Sequence, residues 1–156
     1  MATLHEIYGA IDKILQDPDY SEPDIVDLIN EALQEIAAGV RMPDGSITPP
    51  LPDLIDYDTV TTTTEAYASL PSDYQRNVFM ILDSSGNKID PPRGGGYYAF
   101  QLFMGQIQDK RLTESGTVYR VAVKGSMLYY QGIPTAAATL GVHFFRKPAT
   151  LYEDED

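Results

Sequence analysis

The sequence has no cysteine and no tryptophan, only two histidines, and 11 lysines and arginines against 23 aspartates and glutamates. Each shortage removes a class of protein. Without cysteine there is no disulfide scaffold, no thiolate nucleophile and no thiolate-held metal. With a formal charge of −12, the chain has no basic surface to neutralise a nucleic-acid backbone, as a tight DNA or RNA binder must. No run approaches the roughly 18 apolar residues of a membrane-crossing helix. The opening Met1 to Ala10 lacks the basic-then-apolar pattern of a secretory signal. The expectation is a soluble protein made in the cytoplasm, with no membrane partner. The 156 residues suit a single domain or a compact pair of small ones, able to bury roughly 70% of the surface its unfolded chain exposes.

The charge that is present is unevenly placed. Glu153-Asp154-Glu155-Asp156 form a terminal acidic run over 149–156, and most other carboxylates fall in the first 60 residues. The remainder is close to balanced and rich in tyrosine, which points to an acidic helical region joined to a neutral β region.

Leu4, Ile7, Tyr8, Ile11, Ile14 and Leu15 recur at helical spacing, with Thr3 and Glu6 at capping-box distance and Asp17-Pro18-Asp19 as a stop. Ser21-Glu22-Pro23-Asp24 starts a second helix with a capping hydroxyl, early acids and a proline that needs no amide donor. Its apolar stripe runs Ile25, Leu28, Ile29, Ala32, Leu33, Ile36 and Ala37, and Gly39 ends it. Residues 1–41 therefore read as an antiparallel helical hairpin with too little apolar surface to stand alone. Residues 42–58, with Pro43, Pro49, Pro50, Pro52 and Gly45, read as a linker or extended arm.

From residue 59 to 148 the signals are those of strands. Val60 to Thr64, Val78 to Leu82, Thr117 to Lys124, Met127 to Gln131 and Thr139 to Arg146 are β-branched, aromatic or alternating runs. Leu70 to Tyr74 makes a turn, and Gly125 suits the first central position of a type II′ hairpin. Tyr119, Val121 and Val123, with Leu140, Val142 and Phe144, are the expected core faces. A short helix is expected at 97–109. The fold class is α+β: an N-terminal helical hairpin followed by an antiparallel β-sheet or small β-sandwich.

Candidate chemistry is sparse. His5 and His143 are the only conventional bases, and each reads as structural. Asp53, Asp56 and Asp58 lack the glycine turn of a calcium loop and read as linker surface. Arg93-Gly94-Gly95-Gly96 lacks the Gly-Lys-Ser/Thr continuation of a phosphate loop. No catalytic residue, metal or cofactor is expected. The 11 tyrosines suit an interface or a sugar-stacking face. Tyr129 and Tyr130, adjacent in a strand, point to opposite faces, one to the core and one to a surface or interface. Tyr152 is a further interface candidate.

The segment Val121 to Pro134, then Thr139-Leu140 and His143 to Pro148, resembles the head-to-tail adaptor, or head-completion and connector, proteins of tailed bacteriophages. The helix Asp24 to Leu33 and the Leu70 to Arg76 turn match in order, so the resemblance spans about Ser21 to Leu151. It implies a structural virion protein at the neck between head and tail, made in the host cytoplasm. It further implies a homo-oligomeric ring of about twelve copies closed by a heterologous contact, joining the portal protein to a tail or nozzle protein, with DNA as transiting cargo. Family members usually continue beyond the Arg146-Lys147-Pro148 segment into further helices, so a portal-gripping C-terminal region is left out of the expectation. An acidic wall lets DNA slide without sticking, which makes Asp24, Asp27, Glu31 and Glu35 candidate channel-lining residues. The rival readings are a carbohydrate-binding module or receptor-binding tail component using surface tyrosines and, more remotely, a glycan hydrolase with two carboxylates.

Overall fold

A computed structural model describes residues 9–11, 22–39, 41, 43–48 and 51–150. The chain forms two compact units, one of residues 1–54 with 147–156 and one of residues 55–146.

In the first unit, helix α1 spans Glu22–Ala38. It stops at Gly39, whose φ of 87° suits a residue without a Cβ. The Gly39 amide donates to the Ile36 carbonyl at 3.0 Å. Of the expected first helix, 9–11 are described and are helical; the hairpin pairing lies outside the described residues. Beyond α1, Arg41 and Ile47 form an antiparallel bridge. The Asp44 carboxylate closes the turn between them, accepting from the Ser46 amide at 2.9 Å and its hydroxyl at 2.6 Å. A 3-10 turn follows at Pro52–Leu54.

The second unit holds six strands: β1 Ile55–Thr61, β2 Tyr67–Ser69, β3 Tyr74–Leu82, β4 Arg120–Lys124, β5 Met127–Gln131 and β6 Thr139–Arg146. They form two antiparallel three-stranded sheets, ordered β1-β6-β3 and β2-β5-β4. The inward residues of both sheets share one core, with Val60, Val78, Ile81, Val121, Val123, Leu128, Tyr130, Leu140, Val142 and Phe144 all buried. This is the packing of a small sandwich. Gly125 has φ 61° and joins β4 to β5 in a two-residue turn that pairs Lys124 with Met127, as expected.

Four details differ from the sequence reading. Ile55 to Asp58 belong to β1 rather than to the arm. The Asp56 and Asp58 carboxylates accept from the amides of Tyr57 and Thr59 at 2.8 and 2.7 Å, so these acids shield an edge strand instead of breaking it. β3 is longer than its apolar run, because a bulge between Arg76 and Met80, with Asn77 at φ 55°, lets the strand continue. Tyr119 is 39% exposed; it lies just before β4, and its hydroxyl donates to the Glu114 carboxylate at 2.9 Å.

The fourth difference is the helix expected at 97–109, which is shortened to α2, Phe100–Gln106. Tyr97 is drawn out of it into the core, where its hydroxyl donates to the Ile89 carbonyl at 2.8 Å. Helix α2 covers the outer face of the β2-β5-β4 sheet, with Phe103 and Ile107 packed around Ala122.

Candidate functional site

The candidate sites are surfaces. On α1, Asp24, Asp27, Glu31 and Glu35 are all exposed. Their spacing of three, four and four puts them on one stripe. Ile25, Val26, Ile29 and Ala37 are buried on the other side of the helix. The apolar stripe expected from the sequence is broader than the buried one. Leu28 is 50% and Ile36 46% exposed, and with exposed Ala32 they form a ridge at four-residue spacing beside the acids. Each four-residue step advances about 40° round the helix, so the ridge starts beside the acids at Leu28 and turns toward the buried side by Ile36.

The tyrosines divide by strand geometry. Tyr130 points into the sandwich and is fully buried. Its hydroxyl accepts from the Thr63 amide at 2.8 Å and lies 3.3 Å from the Tyr67 carbonyl. It is a core residue and presents nothing to a neighbour. Tyr130→Phe is expected to lower unfolding free energy by about 1–2 kcal/mol, because the Thr63 amide loses its acceptor; chemical denaturation measures it.

Tyr129 faces the other way, half-buried beneath α2, with its ring 4.9 Å from Phe100 and 5.7 Å from Tyr67. Tyr152 lies outside the described residues. Tyr74 and Tyr98 share a 2.6 Å hydroxyl contact. Burial, and then the Tyr98 hydroxyl, push the Tyr74 phenol above its ordinary range.

The outer face of the β1-β6-β3 sheet has no covering helix of its own unit. Register places Ile55 opposite Phe145 and Tyr57 opposite His143. Phe79 completes the set, its ring 5.8 Å from Phe145 and 5.9 Å from His143, while Tyr57 lies 4.8 Å from His143. Ile55, Tyr57 and Phe79 are 49%, 51% and 43% exposed. Tyr57 also lies across Gly141, where an added Cβ would come within 2.8 Å of its ring. The backbone of β6 is thus roofed by an aromatic ring, as in aromatic rescue of a sheet glycine. The sequence hides this face because Ile55 and Tyr57 fall at the end of the proline-rich stretch. The signal that could have found it is the alternation Ile55, Tyr57, Thr59 against Phe145, His143, Gly141.

Two of the clefts among the described residues lie in the second unit. One, of about 390 Å³, opens between Asp83, Thr117, Val118, Pro134 and Leu140. The other, of about 280 Å³, gathers Lys88, Arg93 and Arg120 with Asp83 and Asp90. The Asp83 carboxylate is held by the amides of Ser85 and Asn87, each at 2.8 Å, and its pKa is lowered chiefly by Asn87. The Arg93-Gly94-Gly95-Gly96 segment is docked on α2. Gln106 accepts from the Arg93 amide and donates to its carbonyl, both at 2.7 Å. A Cβ on Gly95 would lie 2.6 Å from that of Ala99.

His143 sits among rings on the sheet face, and His5 lies outside the described residues. Among the described residues no group of three His, Asp or Glu could hold a metal ion, and no helix is long and apolar enough to cross a membrane.

Asp109 organises the loop after α2. Its carboxyl accepts from the Thr113 hydroxyl at 2.6 Å, the Arg111 amide at 2.9 Å and the Thr113 amide. These hold its pKa down to about 2, the Thr113 hydroxyl contributing most. A carboxyl depressed below its unfolded value of about 3.9 contributes stability above that pH and loses it as pH falls through the folded value. An NMR titration of Asp109 is expected to show a midpoint near 2, rising some of the way toward about 4 in Thr113→Ala.

The family model described as SU10 adaptor protein matches residues 2–156. No curated protein sequence matches the chain.

Proposed function

Because the chain belongs to the SU10 adaptor protein family of phage head-to-tail adaptors, a structural component of the virion, we propose that it forms a ring between the portal and the tail through which the genome passes. The observation that carries this reading is the family match over nearly the whole chain. The surface chemistry agrees with it. The α1 acids are presented together and exposed, as a wall that repels duplex phosphates requires. As the family resemblance implies, the ring has about twelve copies, sits at the neck, and touches the portal on one side and a tail or nozzle protein on the other. Asp24, Asp27, Glu31 and Glu35 face the channel. Of the tyrosines considered for sugar stacking, Tyr130 is enclosed and Tyr129 lies beneath α2, so these two do not make a platform.

The test is co-sedimentation with the cognate portal ring. The expected result is a complex carrying one chain per portal subunit. A folded chain that never travels with the portal, at any ratio, overturns the reading.

A further inference from the structure

The chain exposes two apolar surfaces of different shape. One is the ridge Leu28, Ala32, Ile36 on α1, and the other is the aromatic face Ile55, Tyr57, Phe79, His143 and Phe145 on the β1-β6-β3 sheet. We infer that these surfaces bind each other between copies of the chain, the α1 ridge of one copy lying on the aromatic sheet face of the next. The inference rests on the ring reading above and names the subunit contact that closes it.

Two observations favour a second copy as the occupant. The first is shape. Side chains four residues apart make a continuous helix ridge, and Tyr57 roofing Gly141 gives the sheet a continuous apolar floor to receive it. The second is charge. The ridge is bordered by Asp27, Glu31 and Glu35, all exposed. The outward positions of the sheet hold no carboxylate and include His143 and, opposite Phe145 in the register, Arg76. A helix edged with carboxylates therefore meets a face that does not repel it.

Copies of charge −12 repel one another, so a contact between them has to rest on apolar burial, which these faces can supply. Because the two surfaces differ, the contact is heterologous and repeats from copy to copy, closing into a ring when the rotation allows. An isologous pairing of two sheet faces would instead stop at a dimer and leave every α1 ridge uncovered.

The full-length chain tests this with two double variants at exposed positions. Tyr57→Thr with Phe79→Thr disables the sheet face while keeping strand propensity. Leu28→Gln with Ile36→Gln disables the ridge while keeping helix propensity. Circular dichroism and thermal melting confirm that each folds.

In analytical ultracentrifugation the wild type is expected to associate beyond a dimer with rising concentration. Each variant alone should be weakened by about a hundredfold or more and remain at the 17.3 kDa of one chain. Mixed, the two variants should form a species of two chains and nothing larger, because each retains the half that the other lacks. A wild type that stays monomeric to millimolar concentration, variants that associate like the wild type, or a mixture that stays monomeric overturns the contact. If the portal still co-sediments with the wild type in those cases, the adaptor reading survives and only the assigned contact fails. Loss of portal binding with self-association intact would show the reverse.

Discussion

Replacing Asp27, Glu31 and Glu35 with lysine is expected to produce binding to duplex DNA with a steep dependence on salt. Each change adds two charges, so the three together take −12 to −6, and all of the gain falls on one exposed stripe of α1. Asp24 is spared because it lies in the first turn, where a carboxylate favours the helix dipole. If three lysines per chain reach phosphates, the logarithm of the affinity should fall with that of the salt concentration at a slope of about −2.7. That slope is about a fortyfold loss between 50 and 200 mM salt.

The wild type should show no binding under the same conditions. Fluorescence anisotropy of a labelled duplex measures both proteins, and thermal melting confirms that the exposed substitutions leave the fold intact. If the α1 acids line the channel as proposed, the same variant in assembled particles should slow DNA ejection, because lysines there would attract the duplex phosphates. A wild type that binds duplex DNA as tightly as the variant would remove the acidic stripe from the account of how DNA passes.

The stripe was legible in the sequence because helical spacing is a local property. Asp24, Asp27, Glu31 and Glu35 fall together whatever α1 packs against. Strands β4, β5 and β6 were legible for the same reason, since alternation and the Gly125 turn are written within a few residues of each other. What local pattern could not give was the behaviour of residues that depend on distant partners. Ile55 and Tyr57 follow a proline-rich stretch, and only pairing with Phe145 and His143 of β6 makes them a strand. Tyr97 has a helical neighbour pattern, yet it leaves the helix because the Ile89 carbonyl in the core takes its hydroxyl. The three-residue β2 is shorter than any window in which alternation can be seen, and β5 defines it. The aromatic face followed the same rule: half of it lay in a segment whose neighbours argued for an arm.

Phe144→Ala should cost about 3–5 kcal/mol of unfolding free energy, whereas Phe145→Ala, one residue on in the same strand, should cost less than about 1 kcal/mol. The two phenylalanines are chemically identical and adjacent, and the pleat alone separates them. Phe144 is fully buried, its ring 5.9 Å from Tyr74 in an edge-on contact. Removing it opens a cavity where the two sheets meet, in a fold whose whole margin is about 5–15 kcal/mol. Phe145 stands on the outer face, half-buried and in contact with Phe79, so truncation removes little from the folded monomer.

Urea denaturation of the two variants measures the difference. Equal losses would mean that the outer face is covered within the chain and that the two sheets do not share one core. The expected inequality also divides the labour of β6. Its inward residues hold the unit together, and its outward ones are free to hold the next copy, so Phe145→Ala should weaken self-association while leaving the melting temperature nearly unchanged.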